Sequence, residues 1–162
     1  MKWLFAIAAL AGLVAPPGPA SADQDKQRRC LATALYYEAR DQPILGQLAA
    51  GVVVLNRVRD RRWPNTVCRV VEQGKTDRAG NPVLHACAFS YFCDGKPERP
   101  MEKEPWATAQ GLASLLLGTE IAIDLADVMD ATHYHAVWVQ PSWTTAMVKR
   151  AQIGGHVFYV QK

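Results

Sequence analysis

Residues 31–60 read LATALYYEARDQPILGQLAAGVVVLNRVRD, and this stretch predicts two helices joined by a short turn. Apolar residues recur at helical spacing over residues 29–39 and again over residues 45–59. Pro43 stands where the second helix can begin, because its missing N–H has no partner to lose there. Near the end of the first helix, Glu38 follows Tyr36 and Tyr37. A carboxyl group against aromatic rings is costly to ionise, so we expect its pKa to be raised.

The rest of the chain predicts shorter elements around this helix pair. Residues 23–29 are polar and are expected to be a frayed lead-in. A short helix over residues 67–73 precedes a zone of turns and hairpins, residues 74–100, in which Gly, Pro and Asn are frequent. Another helix is expected over 105–117, and strands over 132–139 and 156–160. This order predicts an α+β domain, mainly helical, with a small β/hairpin region.

The N-terminus has the pattern of an export signal. A basic start at Lys2 precedes an apolar run, residues 3–15, which is too short to cross a bilayer. A Pro-Gly break and the small residues of positions 20–22 follow, as at a signal cleavage site. We therefore expect residues 1–22 to be a signal peptide, residues 23–162 to form a single domain, and no stable membrane insertion after cleavage.

Charge and cysteine content restrict the class of protein further. The net charge of +3 does not indicate a nucleic-acid binder, and the arginines near residue 60 are expected to form a solvated helix end. The four cysteines, Cys30, Cys68, Cys87 and Cys93, imply two disulfides in an oxidising compartment such as the periplasm. Three pairings are open. If Cys87 and Cys93 close a tight loop, Cys30 and Cys68 tie the first helix to the third. No C-x-x-C pair supports a structural zinc site.

Short segments in order along the chain resemble the SleB/CwlJ cell wall hydrolase family, whose members are similar to spore cortex-lytic enzymes. YYEARDQP with GQLA and VVLNR resembles the opening pattern of the family, and AFSYFCDG resembles its F-S segment. THY, PSW and IGGHVFY resemble its closing pattern. The resemblance covers residues 30–159. It implies a lysozyme-like fold, a peptidoglycan substrate, and Glu38 as the catalytic acid of a lytic transglycosylase that acts between N-acetylmuramic acid and N-acetylglucosamine.

The chemistry of glycoside cleavage agrees with this role for Glu38. The leaving oxygen needs a proton, so the donor must be a carboxyl group that is still protonated near neutral pH. Arg40 is two residues away and does not face Glu38 on a helix. A hydrolytic enzyme would need a second carboxylate. Asp41 and Asp94 are the candidates, but both have the positions of turn residues. We therefore expect a single-acid mechanism with a 1,6-anhydro product.

Substrate-binding residues are expected in the same motifs. Sugar sites combine aromatic platforms with a few placed polar groups. The candidates are Ser90, Phe89, Thr132, His133, Tyr134, Gln47 and Asn56. Asn56 interrupts an apolar run, so its amide is also expected to anchor internal hydrogen bonds. Trp138 and Trp143 are expected to serve packing.

Two other functions remain open from the sequence. His133 and His135 would share one face of a strand and, with His156 or Glu38, could hold the zinc ion of an amidase. The alternative from another class is a non-catalytic peptidoglycan-binding protein. We expect no metal and no cofactor. A protein partner that restrains the activity is a further expectation, because an unrestrained wall-cutting enzyme would lyse its host.

Overall fold

The computed structural model describes residues 19–118 and 125–161 of the chain. Helices are α1 Pro19–Ala39, α2 Ile44–Arg59, α3 Val67–Val71 and α4 Lys103–Gly118. Strands are β1 Gly74–Thr76, β2 Pro82–Cys87, β3 His133–Ala136, β4 Met147–Ile153 and β5 His156–Gln161. Short 3-10 helices cover Ser90–Cys93, Ala126–Val128 and Ser142–Ala146. The predicted α+β class, mainly helical with small sheets, is confirmed.

The N-terminal part differs from the prediction. Residues 23–29 are helical rather than frayed, since α1 includes them. Gln27 accounts for part of this order: its side-chain Nε2 donates to Asp23, and its Oε1 accepts from the Cys68 N–H at 3.1 Å. Residues 1–18 of the predicted signal peptide lie outside the described residues. No helix in the described part of the chain is long and apolar enough to cross a membrane.

The main core lies between α1, α2, α3 and α4. Its largest fully buried side chains are Leu31, Leu35, Val53, Val54, Val70, Val71, Val128 and Phe158. Gly51 of α2 allows close packing here, because a Cβ there would lie 2.4 Å from Cδ1 of Leu116 on α4 and that side chain would have to shift. The apolar residues that recur at helical spacing in residues 31–60 are thus largely the residues that are buried.

Two disulfides connect the elements around this core. Cys30–Cys68 joins α1 to α3, and Cys87–Cys93 closes a loop with a sequence separation of 6 at the base of the β1–β2 hairpin. Of the three pairings that the sequence left open, the structure has the one in which Cys87 and Cys93 close a tight loop.

Strands β3, β5 and β4 form an antiparallel sheet in the order β3-β5-β4. The prediction missed β4, whose residues MVKRAQI are mostly exposed and lack a clear alternation of apolar and polar residues. β4 is an edge strand, so its outer edge has no neighbouring strand and most of its side chains remain in solvent.

The turn between β4 and β5 fastens the sheet to the α1–α2 connection. The Gly155 N–H donates to Oε1 of Gln42 at 2.7 Å. Gly154 has a positive φ of 57°, and a Cβ there would lie 2.7 Å from Cδ of Pro43. Because both the backbone angle and the space require glycine, the sheet is held at a fixed position beside the end of α1.

Candidate active site

Glu38 lies at the penultimate position of α1 and is half-buried. Burial raises the pKa of its carboxyl group above the usual value, and this effect exceeds the opposing ones. The opposing effects, which lower the pKa, are a hydrogen bond from the Ser90 backbone N–H and the positive charge of Arg57. The surroundings therefore favour the protonated carboxyl group that the sequence led us to expect.

Two tyrosines from distant parts of the chain lie near Glu38. Tyr91 is 7% exposed and Tyr134 is half-buried. Burial is the main cause that raises the pKa of each phenol, and the Glu38 charge raises both further. Both tyrosines therefore stay neutral and add hydroxyl groups, not charges, to the site.

The two tyrosines next to Glu38 in sequence have different positions. The Tyr37 ring stacks on the Tyr91 ring, with 5.0 Å between the centroids and an angle of 16° between the planes. The Tyr36 hydroxyl instead donates to Glu102 on the opposite side of the helix. Tyr36 thus turns toward Glu102, whereas Tyr91 and Tyr134, from other elements, lie near Glu38.

Arg57 does not belong to a solvated helix end, as the sequence suggested. It is half-buried, and its Nε donates to the Thr132 carbonyl at 2.7 Å. Its guanidinium carbon lies 5.5 Å from the Phe89 ring centroid and 5.9 Å from that of Trp63. The sequence contained a signal for this position of Arg57. Arg57 follows the apolar Val53 by four residues, and residues at this spacing share one face of a helix, here the face on which Val53 is fully buried.

The other nearby arginine is held away from Glu38. Arg40 Nε pairs with Oε2 of Glu102 at 2.8 Å, and its guanidinium lies over the Tyr36 ring at 4.9 Å. The expectation that Arg40 does not pair with Glu38 is therefore confirmed by its position.

Four of the predicted sugar-binding residues are buried: Phe89 at 2% exposure, Thr132 at 4%, Gln47 at 5% and Asn56 at 9%. The amide groups bond to backbone carbonyls, Gln47 to Gln42 at 3.0 Å and Asn56 to Ala131 at 2.8 Å. The anchoring role expected for Asn56 agrees with this geometry. These four side chains present little surface to solvent, so their contact with a substrate stays a prediction.

The remaining predicted binding residues are more accessible. Ser90 is exposed, and His133 and Tyr134 are half-buried. His133 Nδ1 lies 3.0 Å from the Thr132 hydroxyl, and its ring packs between Trp63 and Trp143. Burial lowers the pKa of His133 to about 4, with smaller contributions from nearby arginine charges. His133 is therefore neutral near neutral pH.

The histidines do not form the zinc set that the sequence left open. His133 and His135 lie on one face of the sheet, whereas His156 opposes Ala136 and contacts the Tyr134 ring on the other face. His135 is already engaged through both nitrogens, with the Ala136 carbonyl at 2.8 Å and the Tyr159 hydroxyl at 3.0 Å. Within residues 19–118 and 125–161, no group of three His, Cys, Asp or Glu side chains is arranged to hold a metal ion.

The two candidate second carboxylates have turn positions. Asp41 is exposed and accepts from the Gln42 side chain at 3.1 Å. Asp94 accepts from the Lys96 N–H at 2.8 Å, next to Gly95 with its positive φ of 79°. Both side chains therefore serve the local turns that their sequence contexts indicated.

Comparison with solved structures identifies similar folds. The catalytic domain of the germination-specific lytic transglycosylase SleB from Bacillus anthracis is 25% identical, with a TM-score of 0.59 over 82% of this chain and 93% of that one. The catalytic domain of the Bacillus cereus SleB protein is 26% identical, with a TM-score of 0.58 over 83% of this chain and 90% of that one.

Curated relatives agree with the structural comparison. The spore cortex-lytic enzyme of Bacillus cereus is 28% identical over 135 residues, which are 79% of this chain and 42% of that enzyme. The enzyme of the same name from Bacillus subtilis is 28% identical over 137 residues, 80% of this chain and 36% of that enzyme. The chain thus spans less than half the length of these curated relatives.

The family model described as Cell Wall Hydrolase matches residues 41–159, and Glu38 lies just before the matched segment. The match includes Arg57, Ser90, Tyr91 and Tyr134, the groups from other elements that lie near the Glu38 carboxyl group. With the resemblance to SleB-type enzymes confirmed in sequence and in fold, this chain belongs to the cell wall hydrolase family.

Proposed function

We propose that this protein is a peptidoglycan lytic transglycosylase and that Glu38 is its catalytic acid. The observation that carries this proposal is the half-buried Glu38 carboxyl group, whose pKa is raised and which has no salt bridge within the described residues. The similarity to SleB, described as a lytic transglycosylase, and to spore cortex-lytic enzymes supports the reaction and the substrate.

The reaction needs one carboxyl group in two roles. Glu38 first donates its proton to the glycosidic oxygen, and the bond between this oxygen and C1 of the muramoyl residue breaks. The Glu38 carboxylate then accepts the proton of the C6 hydroxyl group while the C6 oxygen bonds to C1. The products are a 1,6-anhydro-muramoyl end and a free 4-hydroxyl group, and Glu38 is protonated again. No water is consumed, which agrees with the turn positions of Asp41 and Asp94.

Accessible groups beside Glu38 are proposed to bind the glycan strand. The Ser90 hydroxyl can hydrogen-bond an N-acetyl group, and the neutral His133 and Tyr134 can bond sugar hydroxyls. The buried residues Phe89, Thr132, Gln47 and Asn56 are proposed to hold these groups in place.

The site of action is proposed to be the periplasm, after removal of residues 1–22. The export-signal pattern, the two disulfides and membership of a cell wall hydrolase family support this location. Peptidoglycan is the proposed partner, without nucleic acid, and a protein that restrains the activity is a further proposed partner.

Product analysis tests the function. The exported, processed protein is incubated with purified peptidoglycan, and soluble fragments are identified by mass spectrometry. We expect anhydro-muropeptides, with a rate about 10²- to 10⁴-fold lower for Glu38→Gln. Glu102→Gln is the matched control, since Glu102 also lies beside the end of α1 but is exposed and forms an ion pair with Arg40.

Other products would overturn parts of the proposal. Reducing ends without the anhydro form would establish a hydrolytic muramidase. Freed stem peptides would establish an amidase, and peptidoglycan binding without soluble products would establish a binding protein. The intact mass of the exported protein tests the cleavage after Ala22 in the same preparation.

A further inference from the structure

A cavity of about 180 Å³ lies between α1, the end of α3 and the Ser90–Cys93 helix, and the proposed reaction does not use it. Its uncharged lining is mostly apolar and consists of Cys30, Thr33, Val71, Tyr91 and Phe92. Clefts that hold a whole small molecule usually measure about 300–1,000 Å³. The size of this cavity therefore suits one residue of a longer ligand.

The α1 and α3 sides of the cavity are held by bonds within the protein. Cys30 of α1 is bonded to Cys68 of α3, and the Glu72 N–H donates to the Cys68 carbonyl at 2.9 Å. The Thr33 hydroxyl donates to the Arg29 carbonyl at 2.9 Å. A ligand would therefore enter a cavity that is already formed.

Three charged side chains complete the lining, namely those of Arg29, Glu72 and Glu98. All three residues are exposed, and none of them forms a salt bridge within residues 19–118 and 125–161, where the ion pairs join other residues. One cation and two anions around an apolar lining are complementary to a ligand that carries both an ammonium group and a carboxylate.

The cavity adjoins Glu38 through two stacked tyrosines. Tyr91 lines the cavity, and its ring stacks on that of Tyr37 with 5.0 Å between the centroids. Tyr37 directly precedes Glu38, and Thr33 lies about one helical turn, or about 5.4 Å, before Tyr37. In peptidoglycan the muramoyl residue carries a stem peptide, and an extended peptide advances about 3.3 Å per residue. About three peptide residues thus reach from a muramoyl residue at Glu38 to the cavity.

We propose, on the basis of the proposed function, that this cavity binds the diamino acid of the stem peptide on the strand being cut. The side chain of diaminopimelate ends in one ammonium group and one carboxylate. The ammonium group donates to Glu72 and Glu98, the carboxylate accepts from the Arg29 guanidinium, and the methylene groups lie against Tyr91 and Phe92. The enzyme is thereby selective for peptide-bearing strands over strands without peptides.

Binding of a free stem peptide tests the cavity without turnover. The probe is the tripeptide L-alanyl-γ-D-glutamyl-meso-diaminopimelate, added to the ¹⁵N-labelled processed protein, and the control ligand is the same peptide acetylated at its side-chain amine. We expect saturable shifts of the amide signals of Thr33, Glu72 and Phe92, and an affinity about 5-fold lower for the acetylated peptide. Absence of these shifts, or equal affinities for the two peptides, would overturn the inference.

The carboxylate end of the probe is tested by a matched pair of arginine variants. We expect Arg29→Gln to lower the affinity for the unmodified tripeptide about 5-fold. Arg59→Gln removes the same charge from an exposed position on α2, outside the cavity, and should leave the affinity unchanged.

Cleavage of two substrates tests the selectivity. One is purified peptidoglycan, and the other is the same material after its stem peptides have been removed. We expect kcat/KM to be about 5-fold higher for the peptide-bearing strands. Glu72→Gln combined with Glu98→Gln should lose this preference and keep the wild-type rate on the strands without peptides. Glu104→Gln, exposed on α4 and outside the cavity, is the matched control and should keep the preference.

The outcomes separate this inference from the proposed function. Equal cleavage of the two substrates by the wild-type protein, or a preference that survives in the double variant, would overturn the inference and leave the lytic activity standing. Tripeptide binding without cleavage of either substrate would support the peptide site and overturn the proposed function.

Discussion

Two sides of the end of α1 carry the same kinds of side chain in opposite settings. On the surface side, Arg40 pairs with Glu102 at 2.8 Å, and the side chains are 41% and 56% exposed. The Tyr36 hydroxyl donates to Glu102 and accepts from the Met101 and Glu102 N–H groups. On the inner side, Glu38 is half-buried with tyrosines and an arginine nearby, yet it has no salt bridge among the described residues.

The difference shows that solvent access and the distance to the cation, not residue type, set what a glutamate can do. A solvent-exposed glutamate that forms an ion pair with an arginine stays ionised and contributes little net stability. A desolvated glutamate without a directly bonded cation has a raised pKa and so holds its proton to higher pH than a solvated one. Each variant below removes an interaction on one side of the end of α1 and leaves the other side unchanged.

The largest effect is expected from opening the loop on the inner side. This loop holds Phe89, Ser90 and Tyr91 between the cysteines of the Cys87–Cys93 bond. Without the bond, the Ser90 N–H and the Tyr91 ring lose their fixed positions beside Glu38. For Cys87→Ser with Cys93→Ser we expect kcat/KM to fall about 10²-fold, the cost of misplacing a catalytic group by about 1 Å.

The other disulfide is the control for this effect. Its separation of 38 residues, against 6 for the loop, predicts a loss of unfolding free energy of about 4 kcal/mol on removal, compared with about 2 kcal/mol. Urea denaturation measures both. Wild-type activity in the folded Cys87/Cys93 variant would show that the loop does not need its bond to shape the site.

A smaller effect is expected on the surface side from Tyr36→Phe. The variant removes a hydroxyl group that makes three hydrogen bonds and leaves two backbone N–H groups without it. We expect the free energy of unfolding to fall by about 1–3 kcal/mol and kcat/KM to stay within about 2-fold of wild type. A loss of activity larger than the loss of stability explains would mean that the two sides are coupled.

The smallest effect is a pH-dependent gain of stability in Glu38→Gln. A carboxyl group whose folded pKa is raised contributes stability that is complete below its unfolded pKa, near 4.3, and is lost as pH rises through the folded pKa. The glutamine has no such loss, so we expect the variant to have a higher free energy of unfolding than wild type above this range and to match it near pH 4. Urea midpoints at both pH values measure this difference.

Glu102→Gln provides the contrast. It removes an exposed ion pair, so we expect a loss of no more than about 1 kcal/mol and no gain at high pH. A similar gain in both variants would mean that general charge, not burial of Glu38, is responsible.

The sequence predicted the parts of the fold that depend on local pattern. Residues 31–60 carry a helical period and a proline at the turn, and both helices are present there, although α1 begins earlier than expected. The buried amide of Asn56 was foreseeable because it interrupts an apolar run. Strand β4 was missed because an exposed edge strand need not alternate.

The candidate site was only partly predictable, because its character depends on contacts between distant residues. Glu38 was identified from its motif and its aromatic neighbours, but Tyr36 faces away from it. The groups that surround it, Arg57, Ser90, Tyr91 and Tyr134, come from three other elements. No local sequence pattern indicates that these four residues come together in the fold. The burial of Phe89 and Thr132 was not predicted, because motif membership does not distinguish an exposed side chain from a buried one.

The bond from Arg57 Nε to the Thr132 carbonyl has a consequence for the order in which activity develops. Its two residues are 75 positions apart, so it forms only when a long loop closes, later than the local contacts of α1 and α2. Until β3 docks, Tyr134 is absent from the site and Arg57 lacks its hydrogen bond to the Thr132 carbonyl. A chain in which β3 has not yet docked would therefore lack part of the proposed active site.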